Sequence, residues 1–225
     1  FAPFISLLEQ DPDSRELKLY AKNLHLKNGD IYPSSISIGS NVFFVGTVNT
    51  DETTKRISDR LLDRAVTINL SAPSFRNLKS MGSAEVEIYP EISFSRFATA
   101  IKSVKNPTED FTERELSFFD DSNSLLTNSV YGQSVSFRSL KKMALYLKNA
   151  SNILPRNEAL DFVVSQMIVK KLRGSFEDFS GILSEDDTTG MLGLLAAYGE
   201  LSEFASATKE LKRKASEIKN NGFTK

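Results

Sequence analysis

Hydrophobic and polar positions alternate with two different periods along the chain, and the change of period falls near residue 90. The first half is dominated by short runs. Val42 to Val48 is an apolar run bounded by Asn41 before it and by Asn49-Thr50-Asp51 after it. A brief stretch of β-branched and aromatic residues between polar punctuation predicts a strand buried on both faces, of the kind found inside parallel sheets. A short helix is predicted over 57–64, and Val66 to Leu70 is a second apolar run. Strand, polar tip, helix, strand reads as one crossover unit, with Asn49, Thr50, Asp51 and Glu52 at the carboxyl end of its first strand. Ligands of open parallel sheets bind at such ends. Upstream, Leu17 to Tyr20 and Leu24 to Leu26 precede the turn-forming Asn28-Gly29 and Ile31-Tyr32-Pro33 follows it, which predicts a β-hairpin over roughly 16–38. His25 lies in it and reads as an ordinary hairpin residue. Glu85 to Ile88 is a weaker strand.

Beyond residue 90 the period becomes helical. Ser93 can cap a helix carrying Phe94, Phe97, Ala98 and Ile101, which Asn106-Pro107 ends. Thr108 or Thr112 opens a second, with Phe111, Leu116 and Phe119. Ser134 or Ser136 opens a third, whose stripe is Phe137, Leu140, Ala144 and Leu147. Pro155 and Asn157 open a fourth, carrying Leu160, Val163, Val164, Met167 and Leu172 and closed by Gly174. Met191 to Ala197 is an apolar run, and Leu201, Phe204, Thr208, Leu211, Ala215 and Ile218 make a last stripe. The predicted architecture is therefore α/β over 1–90 followed by an all-α domain over 91–225.

Charge alters this picture only locally. With 40% hydrophobic and 25% charged residues and a net charge of −1, the composition is that of an ordinary globular chain. The segment holding Glu109, Asp110, Glu113, Glu115, Asp120 and Asp121 is acidic, and Lys209, Lys212, Arg213, Lys214 and Lys219 make the last helix basic. Charge runs usually mark solvated faces. A basic helix is also compatible with a nucleic-acid or acidic partner. No run approaches the roughly 20 apolar residues of a membrane span. Without cysteine, thiolate sites are excluded, and the single histidine makes a histidine metal site or a triad implausible. No metal ligand is assigned. A reducing cytoplasm fits this usage. The opening residues lack a basic signal-peptide region, and Phe1, Phe4, Ile5 and Leu8 already share one helix face without a cap. The sequence is accordingly expected to be part of a longer protein.

Residues 41–65 resemble the segment of AAA+ NTPases that runs from sensor 1 to the arginine finger, in particular that of McrB-like motors of modification-dependent restriction systems. The residues carrying the resemblance are Gly46-Thr47-Val48-Asn49, Asp51-Glu52-Thr53 and Leu61-Leu62-Asp63-Arg64-Ala65. Weaker matches continue downstream. Ser136-Phe137-Arg138 resembles the start of the sensor-2 helix. Leu160-Asp161 leading to Lys170-Lys171-Leu172-Arg173-Gly174, without the usual proline, and the ending Gly222-Phe223-Thr224 resemble the family's closing elements. The opening helix resembles the one that follows Walker B.

The resemblance implies the C-terminal part of an AAA+ large domain with a β-hairpin insertion, then a helical lid. It implies GTP or ATP with Mg²⁺, a homo-oligomeric ring such as a hexamer, an McrC-like endonuclease partner, and foreign or modified DNA as the target. Asn49 would be sensor 1, hydrogen-bonding the attacking water or the γ-phosphate, since an amide both donates and accepts. Read alone, it is a turn or capping residue. Arg64 would be the arginine finger, with Arg60 competing on the same helix face. Either is otherwise a salt-bridge partner of a nearby aspartate. Arg138 would be sensor 2, or else a surface arginine. Asp51 and Glu52 would orient Asn49 or pair with an arginine, or simply cap the next helix. None of the glycines opens a G-x-x-x-x-G-K-[ST] phosphate loop, and no acidic pair ends a strand before Asn41. This polypeptide by itself is expected not to hydrolyse nucleotide. A non-catalytic helical interaction module, or a DNA-binding one using the last helix, is the competing reading.

An arginine finger is worth ~10³–10⁵ in rate. Arg64→Ala, in a protein that also carries the phosphate loop, is therefore expected to abolish hydrolysis while sparing nucleotide binding. Paired turnover and equilibrium-binding assays check this, and normal turnover removes Arg64 from the role.

Overall fold

The computed structural model describes residues 6–7, 10, 12–21, 27, 32–48, 58–62, 65–68, 70, 90–128, 134–179, 181–183 and 188–224. The chain divides into two units, residues 1–64 and 65–225, each considered by itself.

In the first unit, β1 (Glu16–Lys18) pairs antiparallel with β2 (Ser35–Ser37), Leu17 opposite Ile36. The pair falls within the predicted 16–38. Asn28, Gly29 and His25 lie outside the described residues. The short helix α1 (Asp59–Leu62) falls within the predicted 57–64. The expected parallel α/β architecture does not appear. Among the described residues the chain is mostly helical, and its strands form only two small antiparallel sheets. Val42 to Val48 forms no strand and is exposed throughout, Val45 at 93%. In the second unit, Val66 and Ile68 are likewise exposed and outside any strand, and Leu70 is 92% exposed. A strand buried on both faces needs a hydrogen-bonded neighbour at each edge and apolar cover above and below. The apolar pattern signals a demand for cover but supplies neither neighbour.

The second unit is helical. Its elements are α2 (Phe94–Ala100), α3 (Glu113–Thr127), α4 (Phe137–Ala150), α5 (Arg156–Val163), α6 (Phe176–Phe179), α7 (Gly190–Ala197) and α8 (Ala205–Asn221). Helix α5 continues as a π turn, Val164–Ile168, and a 3₁₀ turn, Val169–Lys171. Two short strands, β3 (Gly174–Ser175) and β4 (Phe223–Thr224), pair antiparallel and bring the last residues back beside the end of that run.

The starts follow from the sequence. Thr112, not Thr108, opens α3 through a capping box: its hydroxyl accepts from Glu115 N, and the Glu115 carboxylate accepts from Thr112 N at 2.8 Å. Ser136, not Ser134, caps α4. The acidic segment is not uniformly solvated. Glu115 is buried and receives Arg156 through both its oxygens, each at 2.8 Å, while Arg156 also donates to Asp110 O. Burial pushes the Glu115 carboxyl up, but the Arg156 and Thr112 hydrogen bonds together outweigh it and hold the group below the usual carboxylate range.

Phe118 is the centre of the core. Its ring makes edge contacts with Phe119 and Tyr198 at 5.4 and 5.3 Å and stacks on Phe204 at 5.3 Å. Arg114 lies 3.9 Å over the Tyr198 ring, whose hydroxyl donates to Asp121. These contacts fasten α3 to the turn after α7.

The last helix starts later than its apolar stripe suggests. Leu201 and Phe204 precede it, and Phe204 adopts a left-handed backbone with φ 47°. No capping side chain stands at that position. The buried Asp161 of α5 fills the role from a distance, accepting from Ser206 N at 2.7 Å and Ala207 N at 2.8 Å. At the other end, Gly222 takes φ 76° and closes α8 with its N–H on Ile218 O. Gly174 is needed for a different reason. A Cβ there would meet the Asp178 carboxylate at 2.5 Å and the Phe179 ring at 2.7 Å.

Asp161→Ala leaves two N–H groups at the start of the last helix, that of Ala207 buried and that of Ser206 half-buried, without an acceptor. It is expected to lower unfolding stability by about 1–3 kcal/mol, with Asp161→Asn retaining part of the loss. Urea denaturation followed by circular dichroism checks the order.

Candidate functional site

Of the residues singled out from the sequence, Asn49, Asp51, Glu52 and Arg64 lie outside the described residues. Arg60 lies in α1, and only its backbone is described. Arg138 alone of these has a described side chain.

Arg138 is the second residue of α4 and is exposed, next to Phe137 at 66% exposure. Among the described residues its side chain makes no hydrogen bond and no ion pair. The backbone beneath it is held firmly. Ser136 Oγ accepts from Ser139 N at 3.2 Å and lies 3.0 Å from Ser139 Oγ. Val135 N donates to Asn123 Oδ1 of α3 at 2.8 Å. The Lys171 ammonium donates to Ser139 Oγ at 3.1 Å and to Ser134 O at 3.5 Å. Helix N-termini carry partial positive charge, so a guanidinium and an ammonium stand at an already positive end. A solvent-facing cation on a fixed turn is suited to reading an anionic group brought to it.

Sequence reasoning did not find Lys171, Ser139 or Asn123. The spacing of Ser136 and Ser139 fits a first turn. Nothing in the order of residues shows that a lysine 32 positions later in the chain reaches the same turn.

The basic last helix is not uniformly solvated either. Lys214 is buried, while Lys209, Lys212 and Lys219 are exposed. Glu210 receives both Arg213 Nε at 2.9 Å and Arg213 Nη2 at 2.7 Å, and Lys170 from the 3₁₀ turn lies 3.8 Å away. Arg213 also pairs with Glu217. Burial lowers the Lys214 amine to about 7, with Glu210 opposing the shift and Arg213 and Lys170 reinforcing it. Lys170 is lowered in the same way, first by burial. The residues that composition offers for a polyanion are thus partly spent on internal packing.

Among the described residues no helix is long and apolar enough to cross a membrane. Residues 85–223 match a family described as Domain of unknown function (DUF8727), and the chain belongs to that family. The match covers the helical unit from before α2 to the first residue of β4. No curated protein and no solved structure matches the chain.

The amine of Lys214 titrates lower in the folded chain than in the unfolded one, where a lysine sits near 10.4. Between about pH 7 and 10 the unfolded chain therefore binds more protons, so stability rises with pH across that window and is lost as pH falls back through it. Lys214→Met is expected to flatten this rise and to raise the thermal midpoint at neutral pH. Melting curves of both proteins from pH 7 to 10 measure the two effects.

Proposed function

We propose that the helical unit is the nucleotide-responsive lid of an McrB-like NTPase motor, and that Arg138 reads the γ-phosphate of bound GTP or ATP. The observation that carries the reading is the geometry at α4. An exposed arginine without a described partner projects from a turn pinned by a serine cap, an asparagine and a lysine. A planar, permanently charged guanidinium binds phosphate oxygens in pairs, and a fixed base lowers the cost of ordering it. The likeness of Ser136-Phe137-Arg138 to a sensor-2 helix start supports the same assignment.

In this reading the phosphate loop and the Mg²⁺-holding carboxylates, missing from the sequence, come from polypeptide outside it. Asn49 serves as sensor 1, and Arg64 or Arg60 reaches a neighbour's nucleotide in a hexameric ring. Asp51 and Glu52 orient these groups. The ring works in the cytoplasm and drives an McrC-like endonuclease against foreign or modified DNA. A second reading, a partner-binding module without catalysis, draws on the exposed Phe94 and Phe97 of α2 and Ile101 at its C-cap.

A charge-assisted hydrogen bond made to the reacting phosphate is worth roughly 10–100-fold in rate. Arg138→Ala in the intact protein is expected to lower GTP or ATP turnover by that factor. It should also erode the preference for triphosphate over diphosphate, with the melting temperature unchanged. Wild-type turnover and wild-type discrimination would instead favour the module.

A further inference from the structure

Lys171 ends a run that begins at Arg156 and passes through the π turn. Its neighbours Ile168, Val169 and Leu172 are buried, so the backbone carrying it is anchored in the core. Its ammonium reaches out of that run to the first turn of α4, touching Ser139 Oγ and Ser134 O. Ser134 precedes the cap and Ser139 is the third residue of the helix, so the two contacts bracket Arg138 in sequence. They fix the chain on both sides of it.

The choice of an ammonium has an electrostatic cost. A cation at a helix N-terminus opposes the macrodipole, and Arg138 adds a further positive charge. A neutral donor could make both hydrogen bonds without that cost. What an ammonium adds is three donors on a long stem, able to hold two acceptors from separate parts of the turn. It also links that turn to the segment that pairs with the end of the chain, since Gly174-Ser175 follows three residues later and pairs with Phe223-Thr224.

We propose that Lys171 is a positioning residue: it sets the height and rotation of the first turn of α4, and through that turn directs Arg138 at the phosphate. This rests on the reading of Arg138 given above. Lys171 itself is assigned no contact with nucleotide.

The test is a double-mutant cycle in the intact protein, reading kcat and KM for GTP and ATP with Mg²⁺ alongside the melting temperature. Lys171→Met is expected to lower kcat roughly three- to tenfold with KM little changed. Lys171→Arg should restore most of it. Combining Lys171→Met with Arg138→Ala should be no worse than Arg138→Ala alone, because the lysine acts through the arginine. A merely structural role would give additive losses, and additivity overturns the proposal. So does wild-type turnover in Lys171→Met when Arg138→Ala is impaired. If neither variant is impaired, the Arg138 reading fails and the positioning role fails with it. Should Lys171→Met not fold, Ser139→Ala, which removes one acceptor of the ammonium together with the contact to the Ser136 hydroxyl, takes its place in the same cycle and is held to the same outcomes.

Discussion

A buried carboxylate decides how the helical unit closes. Asp161 holds two N–H groups of the last helix, and the helix can begin there only because Phe204 turns the chain in a left-handed conformation. That backbone costs about 1–2 kcal/mol for a residue with a Cβ. Burying the Phe204 ring contributes about 1.5–3 kcal/mol, and stacking on Phe118 adds about 0.5–1.5. The two hydrogen bonds to the Asp161 side chain add to this. Packing therefore outweighs strain, and the helix starts at Ala205 instead of extending back to Leu201.

From that starting point the remaining geometry follows. The last helix lies along the 156–171 run, its buried face carrying Leu211, Ala215 and Ile218. A glycine ends it, and two residues pair with Gly174 and Ser175. Thr224, fully enclosed, donates to Glu217 one turn before the helix end. The end of the described chain is thus tied to both partners of the clasp. The run that holds Asp161 also carries Lys170 toward Glu210 and Lys171 toward Ser139. One helical segment caps one helix, pairs with one of its carboxylates and steadies the start of another.

Much of this was legible in the order of residues. Stripes at threes and fours marked the helices, and local chemistry narrowed two of their starts to Thr108 or Thr112 and to Ser134 or Ser136. What sequence did not disclose depends on distant neighbours. Asp161 looks like any polar residue on a helix until the N–H groups of Ser206 and Ala207 are placed beside it. Lys214 carries the same signal as Lys212 two positions earlier, yet one is enclosed and the other solvated. The largest error lay at Val42 to Val48. Its pattern states that seven residues want shelter from water, and a parallel sheet was inferred as the shelter. Periodicity specifies a need and leaves the provider open. The arrangement around Arg138 was half legible: the arginine and its serine cap could be named, but not the lysine that braces them.

The wide turn at 164–168 also fixes a phase. An ordinary α-helix advances about 100° per residue, and a π turn accommodates one residue more than a regular turn would. Every side chain beyond it is therefore offset in azimuth from where an unbroken helix would carry it. Losing one residue inside this turn would leave composition and hydropathy almost untouched, yet swing both lysines away from Glu210 and Ser139. In this segment chain length, counted residue by residue, is as much a determinant of the surface as the identity of the residues themselves.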